Sequence, residues 1–119
     1  MPATPFVFQQ QRPPFLPIVK EPESFTLGLQ HANAYVRVTK ATAATVTIPV
    51  LPGVEPYEGV IEQAGAGQLT FAIQTGSGVL LRCRGYASTL LSNAQNAVVG
   101  WKWDPSTREF VVSGDVTVT

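Results

Sequence analysis

The sequence predicts an all-β fold, a single small β-sandwich or jelly-roll-like domain that follows an extended, proline-rich N-terminal arm. Apolar and polar residues alternate along short segments, as is typical of strands with one buried face. Turn-forming residues separate these segments at the spacing usual in sandwiches and barrels. No segment predicts a helix of three turns. We therefore divide the chain into an arm, residues 1–23, and a β-sandwich domain, residues 24–119.

The arm combines prolines with large apolar side chains. Six of the chain's ten prolines lie within the first 22 residues. Proline fixes φ and has no backbone N–H, so a helix or a central strand is not expected there. A solvated disordered segment usually lacks large apolar residues. We therefore expect the arm to bind a partner protein or a neighbouring subunit through its apolar side chains, which are Phe6, Phe8, Phe15, Leu16, Ile18 and Val19.

The alternating pattern predicts a series of strands after the arm. In the first, Ala34, Val36 and Val38 face inward. A proline inside the second, Pro49, is typical of an edge strand. Residues 86–95 fit either a short strand around Leu90 and Leu91 or one helical turn. Apart from this uncertain segment, the predicted strands are residues 34–39, 45–50, 59–63, 68–73, 79–84, 96–103, 108–113 and 116–119.

Three glycine- or proline-containing segments predict turns. The AGAG segment, residues 64–67, predicts a tight hairpin reversal whose glycines permit positive φ. The segment from Gly76 to Gly78 predicts a second reversal of the same kind. The DPST segment, residues 104–107, has Asp and Pro at the first two positions of a type I turn, which predicts a hairpin between its flanking strands.

The composition favours a subunit of an assembly. Charged residues make up 13% of the chain, against about 25% in ordinary globular proteins. Eight basic and eight acidic residues give a formal net charge of zero. A monomer with so little charge risks precipitation, whereas a subunit that buries much of its surface does not. The charge balance gives no reason to expect nucleic acid or a membrane as a partner.

Few side chains suggest catalysis, and we expect no enzyme activity, no metal and no cofactor. Glu55, Glu58 and Glu62 are close in sequence, but solvated charges explain them better than an acid–base pair. His31 is the only histidine and has no neighbouring His or Cys with which to bind a metal. Cys83 is the only cysteine, and we expect it to face inward without a chemical role.

Two tryptophans lie two residues apart on one predicted strand. Trp101 and Trp103 therefore share one face, which a glycan-binding protein could use as a stacking platform. Core packing or a subunit contact explains the pair better, because large aromatic residues are enriched in both.

Four segments of the chain resemble a recurrent β module of tailed-bacteriophage virion proteins, found in tail fibres, tail spikes and head decoration proteins. The resemblance spans about residues 33–114, and its most specific part is EQAGAGQLTF. The segments are ANAYVRVTKATAATVTIP (Ala32–Pro49), VIEQAGAGQLTFA (Val60–Ala72), GSGVLLRCRG (Gly76–Gly85) and FVVSGDV (Phe110–Val116).

The resemblance implies a homotrimeric structural protein of the virion, without catalysis. Because the module makes up nearly all of this chain beyond the arm, we expect a capsid decoration (cement) protein, made in the host cytoplasm, that binds the major capsid protein on the outer surface of the head. The alternatives are a tail fibre or baseplate adaptor, and a glycan-binding module that uses Trp101 and Trp103.

Overall fold

In a computed structural model, residues 16–118 form twelve β-strands and one short 3-10 turn, Leu29–His31; the other residues are not described. The all-β prediction is confirmed. The strands, in chain order, are β1 (Ile18–Glu21), β2 (Phe25–Thr26), β3 (Tyr35–Val38), β4 (Ala44–Ile48), β5 (Tyr57–Gln63), β6 (Leu69–Ile73), β7 (Leu80–Arg82), β8 (Tyr86–Ala87), β9 (Thr89–Ser92), β10 (Val98–Asp104), β11 (Glu109–Gly114) and β12 (Val116–Val118).

The strands make two sheets with the core between them. The seven-stranded sheet has the order β1-β3-β5-β10-β11-β7-β8, and the five-stranded sheet has the order β12-β9-β6-β4-β2. From β1 to β6 the chain alternates between the sheets, and each strand is parallel to the next one in its own sheet. Ile18 pairs with Tyr35, which pairs with Val60. The first half of the molecule is therefore a short solenoid.

The second half of the chain adds antiparallel strands beside this solenoid. Strand β10 pairs with β5, β11 pairs with β10, and β9 pairs with both β6 and β12. Within the described residues, half of the strand pairs are parallel. A jelly roll is built from antiparallel strands, so the two-sheet architecture matches the prediction but the connectivity is not that of a jelly roll.

The predicted hairpin at AGAG is wrong, because these residues form a corner between the two sheets. Strand β5 enters the corner from one sheet and β6 leaves it in the other. Neither Gly65 nor Gly67 has positive φ. A Cβ at Gly65 would lie 2.3 Å from the carbonyl oxygen of Lys40, and one at Gly67 would contact the carbonyl of Thr42 even more closely. Glycine is needed here because two successive corners of the solenoid touch backbone to backbone.

The other turn predictions have mixed outcomes. Gly76 and Gly78 do adopt positive φ, but their turn joins β6 to β7 in the opposite sheet, so it is not a hairpin. The DPST hairpin is confirmed, since Asp104 pairs with Glu109 across it. The Asp104 carboxylate accepts hydrogen bonds from Ser106, which lower the pKa of Asp104.

Pro49 does not mark an edge strand. It directly follows β4, which lies between β2 and β6 inside its sheet. The proline therefore removes no hydrogen bond from the sheet, and it ends the strand instead. In the uncertain segment, Leu90 and Leu91 belong to strand β9, so the strand alternative is correct and the helical turn is not.

The predicted inward faces form the core. Ala34, Val36 and Val38 are buried, and so are the alternate residues of the later strands. Cys83 is buried as a free thiol, as expected. The largest fully buried apolar side chains are Trp103, Phe71, Phe110, Leu27, Ile48, Leu51, Ile61, Leu69, Leu81 and Leu90.

Candidate interaction surface

The end of the arm enters the body as the edge strand of the seven-stranded sheet. The carbonyl of Pro17 accepts a hydrogen bond from the N–H of Tyr35 at 2.8 Å, and that of Glu21 accepts one from Thr39 at 3.1 Å. Val19 packs against the core. Leu16 and Ile18 remain 41% and 65% exposed. Of the six arm residues predicted to bind a partner, the structure describes these three, and Phe6, Phe8 and Phe15 lie outside the described residues.

A buried histidine fastens this edge strand to the body. His31 is fully buried, and its Nε2 lies 2.7 Å from the carboxylate of Glu21 on β1. The N–H of Gly28 donates to His31 Nδ1 at 2.9 Å. Because Nδ1 accepts a hydrogen bond, the ring proton lies on Nε2 and is donated to Glu21. The ring also packs on Phe25 at a centroid distance of 4.7 Å.

Sequence reasoning missed the role of His31, which lies in the 3-10 turn between β2 and β3. The pairing with Glu21 depends on how the 3-10 turn folds back on β1, ten residues earlier. One signal was present in the sequence: the chain has a single histidine, and a histidine needs a polar partner if it is buried.

Trp101 and Trp103 lie in the core and are each 2% exposed. The Trp101 ring stacks on Phe110 at 5.2 Å. Their indole nitrogens have no hydrogen-bond partner within the described residues. A stacking platform needs exposed ring faces, so this position favours the packing alternative.

The carboxylates considered as an acid–base pair are not brought together. Glu55 and Glu58 are exposed, and Glu62 forms an ion pair with Arg37 at 3.1 Å. Among residues 16–118, no group of three or more His, Cys, Asp or Glu side chains could hold a metal ion. Nor does that part of the chain contain a helix long and apolar enough to cross a membrane.

The two outer faces of the sandwich differ in charge. Every charged residue that lies within a described strand belongs to the seven-stranded sheet. The outer face of the five-stranded sheet carries threonines in register across neighbouring strands: Thr45 pairs with Thr70, and Thr26 with Thr47. The strands of this sheet therefore present an uncharged outer face on which β-branched side chains are prominent.

A groove of about 260 Å³ crosses the outer face of the seven-stranded sheet. We call it the cross-strand groove. Val60, Gly100 and Ser113 are paired in register across β5, β10 and β11 and line its floor. Lys102 and Val111 form one wall, and Leu16 lies at the end nearest β1. The described part of the arm thus begins at the mouth of this groove.

Comparisons with known proteins do not assign the chain to a family. No protein-family model matches the chain, and a search of curated proteins finds no similar sequence.

Proposed function

We propose that this protein is a capsid decoration protein of a tailed phage, which binds the outer surface of the head as a homotrimer through its N-terminal arm and stabilises the lattice. The observation that carries the proposal is the position of the arm. Residues 18–21 are built into the edge of the body, and an apolar, proline-rich segment precedes them. That arrangement suits a protein that holds a rigid domain to a surface by an extended tether.

The low charge and the uncharged face of the five-stranded sheet support the assembly role. Charged residues are depleted at the centres of protein interfaces. In this structural role each contact with the lattice can be weak, because many contacts on one lattice together give a large avidity.

Deletion of residues 2–15 tests the proposal. The deletion must end before Leu16, because a longer one removes β1 and the Glu21 partner of His31. Full-length protein should decorate stripped heads of the phage that encodes it, whereas the shortened protein should fold but bind at least about tenfold more weakly, since each buried Phe contributes about 1.5–3 kcal/mol. Copies per head are counted by quantitative electrophoresis. Equal occupancy for the two proteins would contradict the proposal.

A tail fibre or baseplate adaptor is the second candidate. The solenoid favours it, because stacked parallel rungs also form elongated fibres and the outer edge of β1 is unpaired among the described strands. Copy number distinguishes the two roles, since decoration follows the capsid lattice and a tail part is present in far fewer copies.

A further inference from the structure

At the floor of the cross-strand groove lies Gly100, and no contact within the folded body requires a glycine at this position. Gly100 lies in the middle of β10, where glycine weakens a strand because it adds backbone entropy to the unfolded chain and packs no side chain. Its φ is not positive. A Cβ at this position would meet only Ser113 Oγ at 3.5 Å, an ordinary contact.

The other glycines of the chain have an evident reason except Gly28, where the crowding atoms are only the movable end of the Gln30 side chain. Gly59, for example, faces the Trp101 indole, and a Cβ there would lie 2.8 Å from its nitrogen. The remainder have either positive φ or a neighbour within 3.2 Å of the added Cβ. A glycine inside a strand often marks a bulge, a tight bend or a place where another group approaches closely. The register of β10 with β5 and β11 is continuous through Gly100, which excludes a bulge and favours close approach of another group.

The groove has the size and lining for an apolar side chain. Its volume of about 260 Å³ is below the range of about 300–1,000 Å³ typical of sites for small molecules. Val60 and Val111 are half-buried on either side of β10. They offer apolar contacts above a floor that has no side chain at Gly100.

The path of the chain identifies the occupant. Leu16 lines the groove, and fifteen residues precede it. Three strand spacings separate β1 from β10, a distance of about 14 Å. An extended chain needs at least about four residues to cover it, so Phe15 is too close to Leu16 to reach Gly100. Phe6 and Phe8 are far enough away, and side chains two apart face the same side of an extended segment.

We propose that the cross-strand groove binds the chain's own N-terminal segment, with Phe8 seated over Gly100 and Phe6 beside it. The tether at Leu16 makes this contact intramolecular, so a modest affinity is enough to fill the groove. The proposal concerns the free protein and does not require a capsid. Failure of the groove contact would therefore leave the decoration role standing, and failure of the decoration role would leave the groove contact standing.

Substitution of Gly100 by valine tests the proposal, because the new side chain fills the groove at a position where the strand tolerates it. In the full-length wild-type protein, chymotrypsin should cleave after Phe6 and Phe8 slowly. In Gly100→Val, the contact between the arm phenylalanines and the cross-strand groove should be lost. NMR should show the same loss in the double variant Phe6→Ala/Phe8→Ala. Cleavage of the arm in Gly100→Val should be about tenfold faster, the effect of releasing one buried aromatic side chain.

Two controls separate this effect from unfolding. Thr75→Val introduces the same residue at an exposed turn position outside the groove and should leave the cleavage rate unchanged. Phe15→Ala should leave intact the NMR contacts between the arm phenylalanines and the methyl groups of Val60 and Val111. Circular dichroism should show that each variant keeps the fold.

Several results would overturn the proposal. Equal cleavage rates for wild type and Gly100→Val would show that the groove does not hold the arm. Protection that rises with protein concentration would show that a second copy supplies the segment. Absence of contacts between Phe8 and the two valines in wild-type protein would also contradict it.

Discussion

At the scale of single residues, the link between His31 and Glu21 fixes the point from which the arm extends. A buried imidazole is stable only if both ring nitrogens have partners. Here Gly28 and Glu21 supply them. One of these partners lies on β1, so the same hydrogen bond that satisfies the ring also holds the edge strand.

Replacement of His31 by alanine should destabilise the protein by about 2–4 kcal/mol. The change opens a cavity beside Phe25 and removes both hydrogen bonds, and the two losses add. Urea denaturation followed by circular dichroism measures the free energy of unfolding.

Lys40→Ala provides a control in which an exposed contact with a glutamate is lost instead of a buried one. Lys40 pairs with Glu23 at 2.7 Å, but the Glu23 side chain is 72% exposed. An exposed pair contributes about 0–1 kcal/mol. If His31→Ala and Lys40→Ala changed stability equally, the structural role of His31 would be refuted.

At the scale of elements, the corners of the solenoid decide how its rungs stack. The N–H of Gly67 donates to the carbonyl of Lys40 at 3.1 Å, and that of Gly65 donates to Val38 at 3.0 Å. These bonds bring the corner after β5 onto the corner after β3. Any side chain at either glycine would separate the two corners.

Gly67→Ala should therefore lower stability by about 1–3 kcal/mol or more, the usual cost of overpacking. Gly100→Ala should leave stability unchanged or raise it by up to about 1 kcal/mol, since its Cβ finds space and alanine reduces the entropy of the unfolded chain. Thermal unfolding of the two variants compares them directly. A Gly67→Ala protein as stable as wild type would contradict the stacked-corner geometry.

The strands from β3 onward were mostly predictable from sequence, but β1, β2 and the connections between strands were not. Period-two alternation depends on local burial, so Ala34, Val36 and Val38 were assigned correctly to the inner face. The AGAG corner has the same composition as a hairpin turn, and only its contact with residues 40–42 distinguishes the two. The cross-strand groove likewise could not be predicted from the sequence, because its residues come from strands far apart along the chain.

At the scale of the whole molecule, the uncharged face of the five-stranded sheet is the expected contact between copies in a trimer. Residues paired across β4, β6 and β9 leave this face without charge, whereas the opposite face carries ion pairs such as Arg37–Glu62. A face that meets another copy gains from burying β-branched side chains.

Thr70→Lys should convert the trimer to monomers, because it would bury an unpaired charge in the contact. Val98→Lys adds the same charge to the outer face of the seven-stranded sheet, where Val98 is 39% exposed, and should leave the trimer intact. Sedimentation velocity at micromolar concentration distinguishes these states. A wild-type protein that is monomeric under those conditions would refute the trimer.

The most direct test of the central claim is a cryo-electron microscopy map of the intact particle. The account predicts that two-sheet bodies of this chain stand as trimers on the outer surface of the head, each connected to the capsid by residues preceding Leu16. A map that places the chain only in the tail, or on the head without contact between its N-terminal arm and the capsid, would contradict the account.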